Sequence, residues 1–229
     1  MPLRSWTFAI SATLALCWLI IACGDAAFAA FAGGDGLGIR AAAMAATLQP
    51  GALSASDQAP QLLSYMLAHV SPLHLGLNLY ALFLLAPALE DEASPAFLTL
   101  LAVVAGVIGG AAHLAMAPIL GAEERFAILQ SAPLLGASGA ISGLLGYDLG
   151  RRAALLRATP KALRVIGPDA FLAYTLGLFA VVNIAAMWLF PLLSAPAHIG
   201  GAAAGAGVAA LVLRRAAPRG DATATAPTR

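Results

Sequence analysis

Four polar side chains that could perform hydrolysis lie in three stretches of the sequence that are otherwise strongly apolar. Ser138 lies in the run Gly-Ala-Ser-Gly, His198 lies near the end of the chain, and His74 and Asn78, four residues apart, share a helix face. A serine hydroxyl becomes a nucleophile when a neighbouring base, commonly neutral histidine, takes its proton. Histidine and asparagine can donate hydrogen bonds to the oxyanion that forms. These residue types predict hydrolysis by an activated serine.

The elements that must position these residues are membrane-spanning helices. Hydrophobic residues make up 61% of the chain and charged residues 10%, whereas a soluble domain carries about 25% charged residues. A bilayer-spanning helix needs about 20 apolar residues. Five charge-free blocks meet that length, and the last is long enough for two helices separated near Pro191 and Pro196; the blocks are 5–24, 58–89, 93–122, 126–147 and 170–213.

We therefore predict an all-α integral membrane protein, a bundle of six transmembrane helices in a single domain over residues 1–217. Ser71 followed by Pro72 is a start signal for the second helix. The tail, 218–229, is predicted to be disordered and cytoplasmic. The six predicted helices cover residues 6–23, 71–89, 95–119, 132–149, 170–190 and 196–214.

The distribution of basic residues predicts the orientation. Arginine and lysine are concentrated in loop 151–168 and in the C-terminal tail, whereas loops 25–57 and 123–125 contain one arginine each. The positive-inside rule then places both termini in the cytoplasm. The second, fourth and sixth helices run from outside to inside. His74, Ser138 (about six residues into the fourth helix) and His198 all fall in the outer third of the membrane, so the site is expected to open outward.

The first apolar stretch has two interpretations. Cys23 with the residues before it resembles a bacterial lipoprotein signal, and Ala-Phe-Ala over 27–29 resembles a signal-peptidase site. Cleavage would leave five spans in the same orientation. We adopt the interpretation in which residues 1–23 are retained as the first helix.

Other polar residues of the spans are interpreted structurally. His113 is expected to be structural and Asn183 to form an interhelical hydrogen bond, and serines other than Ser138 are expected to bond to backbone or to a neighbouring helix. No carboxylate is placed to orient His198, so a Ser–His dyad is predicted. The histidine spacing fits no metal motif, so neither metal nor cofactor is expected. His69, before the second helix, could line the mouth of the site.

At these residues the chain resembles the rhomboid intramembrane serine proteases. Three motifs carry the resemblance over residues 60–205: HVSPLHLGLN from His69, GASG with a following Gly-Tyr, and AHIGG around His198. The resemblance implies that Ser138 is the nucleophile and His198 the general base and acid. It implies an oxyanion site of His74, Asn78 and the Ser138 amide. Glycines flank these groups and are expected to be structural: Gly136, Gly139 and Gly201.

The family implies substrates that are membrane proteins cleaved in or near a transmembrane helix, with loop 190–196 as a lid and entry beside the fifth helix. The partners are thus transmembrane substrates and the lipid bilayer, not nucleic acid, and the oligomeric state stays open. The composition, rich in alanine and arginine, suggests a bacterium and its inner membrane.

Two positions depart from the family pattern. Pro60-Gln61 replaces a frequent Trp-Arg pair of the first loop, and Ser142 replaces a frequent aromatic that stacks on the catalytic histidine. The alternatives left open are rhombosortase-like processing of C-terminal sorting signals and a non-catalytic rhomboid-like protein that binds membrane clients. A small transporter is disfavoured, because the second, fourth and sixth helices are apolar beyond Asn78, Ser142 and His198.

Overall fold

The computed structural model describes residues 5–32, 47–48, 58–131, 133–163, 165–190 and 193–216. Six long helices lie within these ranges: α1 (Ser5–Ala32), α2 (Pro72–Glu90), α3 (Pro95–Leu120), α4 (Ser138–Ala158), α5 (Pro168–Leu189) and α6 (Ala195–Ala216). Short helical turns occur between them, at Gln61–Ser64, Tyr65–Leu67, Glu124–Phe126, Ile128–Ser131 and Lys161–Leu163. In the described ranges the β-structure is a single bridge between Leu48 and Leu134.

Four of the six helices, α2, α3, α5 and α6, are long and apolar enough to cross a membrane. The portion of α1 whose side chains the structure describes, Ser5–Ile21, is also apolar. The apolar sequence of α4, but not the helix itself, is interrupted by Asp148, Arg151 and Arg152. The all-helical fold class is confirmed, whereas the count of six membrane spans stays a prediction.

The predicted boundaries of two helices were wrong. Helix α4 begins at Ser138, not 132, because Pro133 and Gly136 precede it and Leu134 pairs with the backbone of Leu48. It continues to Ala158, not 149, since the charges after Tyr147 pair along the helix instead of ending it. Helix α1 likewise continues past residue 23 to Ala32. The other boundaries agree within about two residues, the usual uncertainty of helix ends.

Helices α3, α4 and α6 form the centre of the bundle, and small residues allow their close packing. A Cβ atom added to Gly205 would overlap the carbonyl oxygen of Gly143, and one added to Gly146 would overlap that of Ala202. In lipid no hydrophobic effect drives helices together, so close backbone approach is what small residues contribute. Gly143 and Gly146 of α4 therefore lie in backbone contact with Gly205 and Ala202 of α6.

Helix α1 is held at its N-terminus by the end of α2. The carboxylate of Glu90 accepts hydrogen bonds from the backbone N–H groups of Trp6 and Thr7 and from the Thr7 hydroxyl. The indole of Trp6 also donates to the Thr99 hydroxyl at 2.8 Å. Because first-turn N–H groups lack helical partners, an acidic side chain there acts as a cap.

Several expectations concern residues outside the described ranges. They are residues 33–46 and 49–57 of the outer loop, the tail 218–229 and part of the proposed lid, 191–192. The retention of residues 1–23 also stays a prediction.

Candidate active site

Ser138 and His198 meet at the N-terminal ends of α4 and α6. Ser138 is the first residue of α4 and His198 the fourth of α6, and the serine Oγ lies 2.7 Å from Nε2 of the histidine. This is hydrogen-bond distance for transfer of the hydroxyl proton to the ring. The structure thus brings together the two residues predicted to form the dyad, although Ser138 opens its helix instead of lying six residues within it.

Close packing of the two helix starts makes this distance possible. A Cβ atom added to Gly201, three residues after His198, would overlap the carbonyl oxygen of Gly139. One added to Gly139 would lie 3.0 Å from the Tyr65 hydroxyl and 3.5 Å from the carbonyl oxygen of Ala197. These two glycines therefore let the backbones carrying Ser138 and His198 approach each other.

His74 lies against the turn that leads into Ser138. Ser71 caps α2 by accepting a hydrogen bond at 3.2 Å from the backbone N–H of His74, and Pro72 occupies the first helical position, as predicted. Gly136 adopts φ +112°, and a Cβ added there would lie 2.6 Å from Cε1 and 2.8 Å from Nε2 of His74. Glycine is needed for both reasons, the backbone conformation and the space that the imidazole occupies.

Asn78 and His69 complete the histidine side of the site. Asn78 is buried, and its Nδ2 donates at 2.9 Å to the backbone carbonyl of His74; its second amide hydrogen remains for another acceptor. His69 is buried with its ring 5.1 Å from that of His74, and its place at the mouth of the site stays a prediction. Burial, and secondly the neighbouring His74, lower the pKa of His69 to about 4.

A further residue, Asn183 of α5, contacts His198 directly. Its Oδ1 lies 2.6 Å from Nδ1 of His198, the ring nitrogen opposite the one that faces Ser138. The prediction of an interhelical hydrogen bond for Asn183 is confirmed, but its partner was not foreseen. The available signal was an amide in an apolar span, which must find a partner.

Comparison with protein families agrees with this architecture. The family model of the Rhomboid domain matches residues 56–215, well over half of the chain. The chain belongs to the rhomboid family. No curated protein matches the sequence at a significant level. Rhomboid proteins are in general intramembrane serine proteases, and the apolar helices together with this domain make the chain a multi-pass membrane protein.

One further polar pair of this rhomboid domain lies at the start of α6. The hydroxyl of Ser194 accepts from the backbone N–H of Ala197 at 3.2 Å and lies 2.8 Å from Nδ1 of His113. Both side chains are buried. His113 is thus structural, as expected, and Ser194 both caps α6 and joins it to α3. Within the described ranges no cluster of three or more His, Cys, Asp or Glu residues could hold a metal ion.

Proposed function

We propose that the protein is an intramembrane serine endopeptidase that cleaves transmembrane proteins with Ser138 as nucleophile and His198 as base. The 2.7 Å contact between Ser138 Oγ and His198 Nε2, at the start of two closely packed helices of a rhomboid domain, carries this proposal. A serine in a membrane helix ordinarily bonds the backbone or a neighbouring helix. Here the hydroxyl faces an imidazole.

The chemistry proceeds through an acyl-enzyme. The Ser138 oxygen attacks the peptide carbonyl carbon while its proton moves to Nε2 of His198. The imidazolium then gives that proton to the leaving amine as the C–N bond breaks. Water attacks the ester by the same route, its proton passing through His198 to regenerate the serine.

The oxyanion would be stabilised by donors at the start of α4. The N–H of Ser138 has no acceptor within the helix because it belongs to the first turn, where the helix dipole also favours negative charge. His74 lies against the Gly136 turn on the same side, and we assign it and Asn78 as further donors. Preorganised donors of this kind contribute about 10²–10³ in kcat each.

The positions of the charges support a site that opens to the outer side. Arg151 and Arg152 form ion pairs with Asp148 on α4, and Arg151 also with Glu92 after α2. This charged cluster lies toward the opposite end of α4 from Ser138. With basic residues facing the cytoplasm, both termini are cytoplasmic. The single domain then spans the membrane six times, and its site opens to the outer side. In a bacterium this membrane would be the inner membrane. Substrate helices must unwind locally, because a helical peptide bond is already hydrogen-bonded.

A cleavage assay in membranes tests the proposal. The chain would be expressed with a panel of single-pass substrates, including one with a C-terminal sorting signal, beside Ser138→Ala and His198→Ala. Ser142→Ala is the matched control, since Ser142 is a buried serine one turn further along α4. We expect fragments from the wild type and from Ser142→Ala, and none from the other two variants. Equal cleavage by Ser138→Ala would overturn the proposal.

A further inference from the structure

Asn183 is a polar residue on a helix that is otherwise largely exposed. Of the residues of α5, only Asn183 and Met187 are buried within the described structure. A primary amide in an apolar span is costly unless its hydrogen bonds are made. Asn183 makes two, one within α5 and one to α6, so its placement is defined at both ends of the amide.

These two hydrogen bonds fix which way the amide points. Nδ2 donates at 2.9 Å to the backbone carbonyl of Phe179, and Oδ1 lies 2.6 Å from Nδ1 of His198. The reversed amide would place Oδ1 against the Phe179 carbonyl, two acceptors facing each other. The oxygen therefore faces His198, and an oxygen can only accept. Nδ1 of His198 must carry the proton, which leaves the lone pair of the neutral ring on Nε2, 2.7 Å from Ser138 Oγ.

We propose that Asn183 is a positioning residue that holds His198 in the tautomer and orientation able to accept the Ser138 proton. This inference rests on the proposed function and extends its dyad to a Ser–His–Asn arrangement. An asparagine partner for a catalytic histidine is known in papain-like proteases. In an apolar span an amide orients the ring without the desolvation cost of a carboxylate. Asn183 also restrains the ring of His198, a restraint that Ser142 cannot provide because it has no aromatic ring to stack on His198.

Kinetics of purified full-length protein in liposomes separate positioning from general support of the fold. The variants are Asn183→Leu, which removes the acceptor at similar volume, and Asn183→Asp, which keeps it; Met187→Ala is the matched control on α5. We expect Asn183→Leu to lower kcat by about 10- to 100-fold, the effect of losing a hydrogen bond to a ring that becomes charged, with little change in KM. Met187→Ala should keep kcat within about twofold of wild type even where it lowers thermal stability.

The Asn183→Asp variant supplies a readout that a merely structural role would not move. A carboxylate beside Nδ1 favours the protonated ring, so activity should return at high pH while the acid limb of the pH–rate profile moves to higher pH. The other groups facing His198 are Ser138 and the titratable His74, and neither is changed. The proposal would be overturned by a wild-type kcat in Asn183→Leu. It would also be overturned if kcat fell equally in Asn183→Leu, Asn183→Asp and Met187→Ala and the pH–rate profile did not shift.

Nitrogen-15 NMR of histidine-labelled protein tests the same inference without activity. The four histidines are distinguished by substitution, with His198→Ala identifying the signal of interest. We expect a protonated Nδ1 and an unprotonated Nε2 for His198 in the wild type, and a mixture of tautomers in Asn183→Leu. A protonated Nε2 in the wild type would contradict the inference. Absence of Ser138-dependent cleavage would instead refute the proposed function and leave the tautomer result standing.

Discussion

Replacing Gly136 with alanine should lower the activity of the site strongly while leaving most of the fold intact. The added Cβ would lie 2.6 Å from Cε1 of His74, so the ring must move by about 0.8 Å to regain ordinary van der Waals separation. The φ of +112° adds backbone strain of about 1–3 kcal/mol for a residue with a side chain. Displacing a catalytic donor by about 1 Å costs about 10²-fold in rate. We therefore expect kcat to fall by about 10²-fold.

Gly76→Ala is the matched control for this substitution. Gly76 lies on α2 two residues after His74, and a Cβ added there meets nothing within 4 Å. Its activity should equal that of the wild type, with a helix stabilised by about 0.5–1 kcal/mol. The assay is cleavage of a single-pass substrate in liposomes, with thermal unfolding in detergent measured in parallel.

A double-mutant cycle assigns the loss to His74. If the clash with the imidazole carries the effect, adding Gly136→Ala to His74→Ala should cost little further activity, because the displaced ring is already absent. Additive losses would point to backbone strain alone. Retention of activity within about threefold in Gly136→Ala would refute the assignment of His74 to the oxyanion site.

Three further predictions concern packing, capping and pH. Gly205→Leu should abolish folding or activity because α4 and α6 must separate, whereas Gly207→Leu, in open space, should be tolerated; equal behaviour in expression and cleavage assays would contradict the packing account. Ser194→Ala should lower the free energy of unfolding by about 1–2 kcal/mol through loss of the α6 cap, and it should also lower kcat. Ser71→Ala removes the cap of α2 and should lower the free energy of unfolding by a similar amount. An unchanged free energy of unfolding in Ser194→Ala would contradict the capping role. Burial lowers the pKa of His69 to about 4, whereas the ordinary pKa of histidine is about 6.5. Between these two pH values the unfolded chain binds more protons than the folded one. The free energy of unfolding should therefore fall as pH falls through that window. Unfolding measured against pH should show a weaker dependence in His69→Gln, and an unchanged one would refute this contribution.

Sequence periodicity and local signals predicted much of the fold. The apolar blocks predicted six helices, and the Ser71 cap with Pro72 fixed the start of α2. Gly139 and Gly201, expected to be structural, lie where the backbones of α4 and α6 approach each other. These features are predictable because each depends on residues within a few positions of one another.

Features that depend on distant packing were not predictable. The start of α4 depends on the turn at Gly136 and on the bridge between Leu48 and Leu134, two residues that α2 and α3 separate in the sequence. The partner of Asn183 depends on how α5 is rotated against α6, which a nearly uniform apolar sequence does not encode locally. The same holds for the contact of His113 with Ser194.

The most direct test of the central claim is to trap the nucleophile. A fluorophosphonate probe should be reacted with the protein in its membrane and the modified residue identified by mass spectrometry. We predict an adduct on Ser138 in the wild type that is lost in His198→Ala, with Ser142 unmodified in both. Labelling that is independent of His198, or that occurs at another serine, would contradict the assignment of Ser138 and His198 as the catalytic pair.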